Sequence, residues 1–177
     1  MIRKDIKAQV REYFLLNPTM KSWVRQIERD LKVSLPLVIR YTKELEKERI
    51  LKSSSVAGIT LYSADRTSTI FLMEKRLYNL RSLYSSGLVD FLVQELSNPA
   101  IILFGSYARG EDVETSDIDI FIETTQKEIP SLVKFEKKLQ RKTQLFKYKD
   151  ISKVENKELA NNIMNGITLN GFLEVFK

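Results

Sequence analysis

Two aspartates, Asp117 and Asp119, stand one residue apart in the run Ser116-Asp117-Ile118-Asp119-Ile120-Phe121-Ile122. The alternation at period two predicts a strand with both carboxylates on one face, about 7 Å apart along the backbone. Two carboxylates held this way repel each other unless a cation lies between them. Taken alone, Asp-x-Asp suits a solvent-facing strand equally well. A second feature narrows the reading. Ala100-Ile101-Ile102-Leu103-Phe104 is short and wholly apolar, as in a buried strand, and Gly105-Ser106 follows it. Gly105 permits a tight turn that a side chain would obstruct. Ser106 opens a short predicted helix whose free N–H groups suit phosphate oxygens. A phosphate grip beside two aspartates is the donor arrangement of metal-assisted phosphoryl transfer, with Mg²⁺ or Mn²⁺ as the ion.

The rest of the chain removes the competing chemistries. Histidine and cysteine are both absent from the 177 residues. Ser-His-Asp hydrolysis, thiolate catalysis, disulfides and imidazole-bound zinc are therefore excluded. Any metal must sit on oxygen ligands. Hydrophobic residues make up 43% and charged residues 29%, a globular balance. No apolar run reaches the ~20 residues that span a bilayer, and the N-terminus lacks a signal-peptide core, so we expect a cytoplasmic protein without a membrane partner. The lysine-rich, cysteine-free composition suggests a prokaryotic, heat-loving source. The net charge is +6 and uneven: residues 1–65 hold 13 Lys and Arg against 8 Asp and Glu, and the remainder holds 16 against 15. That excess suits a polyanion partner or a plain solvated surface.

The elements that must position these residues are legible in part. Ile6, Val10, Tyr13 and Phe14 recur at helical spacing until Asn17-Pro18. Val24, Ile27 and Leu31 predict a second helix. Ser34 and Pro36 open a third, with Val38, Thr42 and Leu45 inward and Arg40, Lys43 and Lys47 outward. A hairpin is expected over Ile50 to Leu61, its tip at Ser53-Ser54-Ser55-Val56-Ala57-Gly58. From Thr67 to about Ser85 a helix is expected to dock both domains through Ile70, Met73, Leu77, Leu80 and Tyr84. Gly87 breaks it, another helix begins at Leu88, and Asn98-Pro99 ends that one. A helix over about residues 131–142 and a strand over 142–148 follow. The tail around residues 161–172 reads as a helix end and a short extended segment.

Residues 1–65 resemble a winged helix-turn-helix. The resemblance implies double-stranded DNA as a partner, with the third helix in the major groove. Arg40, Lys43 and Tyr41 are the candidate contacts, with Ser34 and Leu37 near the helix start. Glu44, Glu46 and Glu48 dilute that face, and an interaction module is the alternative. The set Gly105-Ser106, Ala108-Arg109-Gly110 and Ser116-Asp117-x-Asp119 resembles the minimal nucleotidyltransferases of the DNA polymerase β-like superfamily. That resemblance implies a mixed β-sheet flanked by helices, catalysis and metal binding by Asp117 and Asp119, and nucleoside triphosphate contacts from Gly105 and Ser106. Arg109 either contacts phosphate or pairs with Glu111 or Asp112, and Gly110 shapes the turn. The family carries a third acidic residue on a neighbouring strand; Gln144 occupies that place here, and glutamine has neither charge nor basicity. Asp150, six residues on, lies too far along the strand to substitute.

The expected organisation is α+β with two domains: a winged helix-turn-helix over 1–65, a connecting helix over 66–85 and a nucleotidyltransferase-like domain over 86–177. The expected activity is transfer of a nucleoside monophosphate from an NTP to a hydroxyl acceptor with Mg²⁺ or Mn²⁺, coupled to DNA binding. The alternative is a DNA-binding regulator or an antitoxin-like protein with a degenerate, nucleotide-binding site, paired with a small helical protein. Homodimerisation would match a palindromic operator.

Overall fold

The computed structural model describes residues 5–126, 128 and 131–174. The chain divides into two compact units, Met1–Lys75 and Arg76–Lys177. The division falls inside one long helix, α4 (Thr69–Ser86).

In the first unit the order is α1 (Ile6–Leu16), β1 (Lys21–Ser22), α2 (Val24–Leu31), α3 (Leu35–Lys47), β2 (Leu51–Val56) and β3 (Ile59–Ala64). Asp5 caps α1 by accepting from the Lys7 and Ala8 amides at 2.9 and 3.4 Å. A cap of this kind satisfies N–H groups the helix itself leaves open. Val10, Tyr13 and Phe14 are buried, as their spacing predicts. Ser34 stands at the N-cap of α3, although its hydroxyl makes no capping bond, and Val38, Thr42 and Leu45 turn inward as expected. The hairpin tip differs from the expectation. Ser53, Ser54 and Ser55 lie within β2, paired with Tyr62, Leu61 and Thr60, so only Ala57 and Gly58 turn the chain. Both of those residues have positive φ, the condition of a two-residue hairpin loop. The short strand β1 adds to the far edge of β3, giving the order β1-β3-β2.

The stripe on α4 also differs. Ile70, Met73, Leu77 and Tyr84 are 38%, 53%, 55% and 47% exposed, and only Leu80 is partly buried against the core. The buried positions of α4 are Phe71, Lys75, Asn79, Leu83 and Ser86. Polar groups are tolerated inside because they find partners: Ser86 Oγ bonds the Leu83 carbonyl at 2.6 Å and accepts from the Leu88 amide at 3.1 Å.

The second unit continues with α5 (Leu88–Glu95), β4 (Ala100–Phe104), α6 (Gly105–Arg109), β5 (Ile118–Glu123), α7 (Val133–Leu139), β6 (Thr143–Tyr148), α8 (Lys157–Met164) and β7 (Ile167–Asn170). Its sheet has the order β6-β5-β4-β7, with β5 and β6 parallel and the other pairs antiparallel. This is the expected mixed α+β architecture. One sheet face carries Ile101, Leu103, Ile118, Ile120 and Ile122 into a core with Leu83, Leu88, Leu92 and Phe135. The other face carries Ile102, Phe104 and Phe121 against Ile151, Val154 and Ile163. Cores on both faces explain why β4 is apolar at every position. Among the described residues, no helix is long and apolar enough to cross a membrane.

Candidate active site

The site grows from the end of β4. Gly105 takes φ +74°, and Gly110 takes the same value as the C-cap of α6. Two left-handed residues thus bracket a helix of one and a half turns, and side chains at either place would be strained. At Gly105 the need is also steric. A Cβ there would overlap Asp119 Oδ2 and lie 3.1 Å from Asp119 Cγ. The Asp119 carboxylate therefore rests directly on the bend that Gly105 makes. The register explains why: Phe104, the last residue of β4, pairs with Asp119 on β5.

Asp117 is exposed and immediately precedes β5, while Asp119 is half-buried within it. Burial raises the Asp119 pKa above the ordinary aspartate value, the negative charge of Asp117 raises it further, and Arg109 opposes both. The two aspartates thus act on each other as like charges, as their spacing predicts. Arg109 also has a carboxylate beside it. Its Nε bonds Glu111 Oε2 at 2.7 Å, so Glu111 is its ion-pair partner. Asp112 is instead buried and accepts from Asn79. The Glu111 amide closes the loop by donating to the Ser106 carbonyl at 3.0 Å.

Gln144 lies opposite Asp119 in the parallel pairing of β5 and β6 and is exposed. It stands at the position the resemblance assigns to a third carboxylate. Asp150 is used elsewhere, accepting from the amide and hydroxyl of Ser152 at the start of a short 3₁₀ turn. Among the described residues, no group of three or more acidic side chains gathers to hold a metal. The available donors are the carboxylates of Asp117 and Asp119 and the Gln144 amide carbonyl. Such a set fits Mg²⁺ or Mn²⁺, because a hard divalent ion binds through one or two carboxylates plus substrate phosphates.

Residues 86–165 match the family model of the nucleotidyltransferase domain. The second unit therefore carries a nucleotidyltransferase domain. A protein of Methanocaldococcus jannaschii named "Putative protein adenylyltransferase MJ1379" is 53% identical over 36 residues, which cover 20% of this chain and 36% of that relative. Among solved structures, a mutant of ZitR from Lactococcus lactis is 16% identical with a TM-score of 0.38, covering 50% of this chain and 60% of that one; so slight a likeness carries no argument.

In the first unit, Arg40 Nε bonds Glu44 Oε1 at 2.8 Å, and its guanidinium lies 5.5 Å from the Tyr41 ring centre. Lys7 pairs with Glu44 and Glu48 at 3.3 and 2.6 Å. Arg40 and then Lys7 hold the Glu44 carboxyl below its usual range. Lys43 is exposed on the same helix. Arg40, Tyr41 and Lys43 share a surface in which part of the positive charge is already answered. The sequence marks Asp112 only as a possible partner of Arg109 and does not mark Asn79 at all. Asn79 sits where an amphipathic helix would show its polar outer face, so no local signal marks it as buried.

The raised Asp119 pKa gives a test. A carboxyl with a raised folded-state pKa binds more protons folded than unfolded. The metal-free protein should therefore lose stability as the pH climbs from the ordinary aspartate value through the raised one. Asp119→Asn should remove that slope and lift the neutral-pH melting temperature by about 1–3 °C. Adding Mn²⁺ should stabilise the wild type and leave the variant unchanged. Calorimetric melts that superimpose for both proteins, with and without Mn²⁺, would contradict this reading.

Proposed function

We propose that this protein is a nucleotidyltransferase that moves a nucleoside monophosphate from an NTP to a hydroxyl acceptor. The observation that carries the proposal is the contact of the Asp119 carboxylate with the Gly105 bend, beside Asp117. The Asp119 carboxylate lies against the turn that would receive a triphosphate, and the charge of Asp117 acts on it. The family match over residues 86–165 supports the same reading. The name of the archaeal relative makes ATP the first NTP to try and a protein hydroxyl the first acceptor.

Asp117 and Asp119 would hold the divalent ion, which neutralises triphosphate charge when bound. The Gly105-Ser106 turn would orient the triphosphate, and the Arg109 charge would offset part of the negative potential around Asp119. The acceptor oxygen would form a bond to the α-phosphorus as the bond to the bridging oxygen breaks and pyrophosphate leaves. The hydroxyl proton would pass to solvent, because Gln144 is no base. That last point favours a second reading, in which the site binds nucleotide and turns it over slowly, as a sensor would. A lost base and charged ligand costs roughly 10²–10⁴-fold in rate.

The first unit supports a DNA-binding partner role. Its helices α2 and α3, followed by the β2–β3 hairpin, have the order of a winged helix, and α3 presents Arg40 and Lys43 outward. Charge on such a helix would reach phosphates, and Tyr41 lies against the Arg40 guanidinium.

Two experiments test these statements. Incubation with each labelled NTP, Mn²⁺ and cell lysate should give label transfer that Asp117→Ala abolishes. Gln144→Asp should raise the rate by about tenfold or more. No transfer by either wild type or Gln144→Asp would reject the enzyme. Binding to duplex DNA should weaken steeply with salt. Lys43→Ala should shallow the log–log slope by about 1, and Arg40→Ala by less, because Glu44 already answers its charge. A salt-independent affinity would reject DNA binding.

A further inference from the structure

A helix as short as α6 does not hold its own shape in water. The loop after it, which leads to Asp117, has no regular structure until β5 begins. Both must be fixed from outside if the Gly105 bend and the two aspartates are to keep one geometry. We infer that Asn79 is the positioning residue that fixes them, an inference that rests on the nucleotide-binding reading above.

Asn79 is 1% exposed on the inner side of α4. Its Nδ2 donates to the Tyr107 carbonyl at 2.9 Å and to Asp112 Oδ1 at 2.7 Å. Tyr107 is the third residue of α6, directly after the Gly105-Ser106 turn, and Asp112 begins the approach to Asp117. One amide group thus ties α6 and the loop after it to a single point on a long helix. The side-chain type is specific. Two N–H bonds from one uncharged side-chain nitrogen need an amide. An aspartate at 79 would offer no donor and would set a second carboxylate against Asp112. A leucine would fill the space and donate nothing.

The surroundings make the clamp costly to lose. Asp112 is itself 1% exposed, and a buried carboxylate is stable only while donors reach it. Burial and the Asp112 charge push the Tyr107 phenol above its ordinary range, with Arg141 opposing, so Tyr107 stays neutral beside the clamp. Misplacing groups by about 1 Å costs up to 10²-fold in reaction rate, and the same displacement of the Gly105-Ser106 turn would weaken its hold on a nucleotide.

The test is calorimetric titration of the full chain with ATP and Mn²⁺, well below the melting temperature of each variant. Wild type should bind. Asn79→Ala should weaken ATP binding by about tenfold or more, and Asn79→Asp further. The exchange variant carrying both Asn79→Asp and Asp112→Asn should recover part of the loss, since the amide then donates across the same gap from the other side. General destabilisation would not produce that recovery. Should Asn79→Ala fail to fold, Asn79→Gln keeps the amide one methylene out of place and should fold yet bind weakly. Wild-type affinity in Asn79→Ala or Asn79→Gln, or an exchange variant no better than Asn79→Asp, would overturn the inference. A wild type that binds no ATP is a distinct result, which removes the nucleotide reading and this role with it.

Discussion

The second unit is organised around the repulsion between Asp117 and Asp119. Burial disfavours the ionised state of Asp119, and the neighbouring charge of Asp117 adds to that cost. Gly105 admits the carboxylate because it has no side chain to displace it. The sheet sets the approach: β4 ends at Phe104 just where β5 presents Asp119. Apolar cores pack both faces of the sheet behind this end of β4 and β5. A site with such internal repulsion is stabilised by an arriving cation, which is how charge can be arranged in advance of a ligand.

In the proposed site, Gln144 would set how strongly a cation is held. It lies opposite Asp119 in the register, and its amide offers a carbonyl donor without charge. The pair alone can serve an ion that arrives with a triphosphate, because the phosphates complete its shell. Affinity for nucleotide and speed of transfer are therefore separable here, and the sensor and enzyme readings differ in rate rather than in geometry.

Much of this was legible in the residues. Period-two alternation marked β5 and placed Asp119 on it, although the strand begins at Ile118 and leaves Asp117 just outside, and Gly105 after an apolar run marked the bend. Gln144 could be assigned because the family resemblance puts a third acidic residue on the strand after α7, and the structure pairs that position with Asp119. Other features depend on partners far away in the chain. The two-residue strand β1 is too short to show any periodicity. The α4 stripe of Ile70, Met73, Leu77 and Tyr84 reads as a core face, yet Asn79 faces inward because Tyr107 and Asp112 supply its bonds. A helical wheel counts hydrophobicity and cannot see those acceptors. The serines of β2 look like a loop by composition, and only pairing with β3 makes them a strand.

A crystal soaked with an NTP and Mn²⁺ tests the central claim most directly. The account predicts an anomalous-scattering peak bridging the Asp117 and Asp119 carboxylates, with the triphosphate lying over the Gly105-Ser106 turn. Metal and nucleotide bound elsewhere on the protein, or neither bound at all, would contradict it.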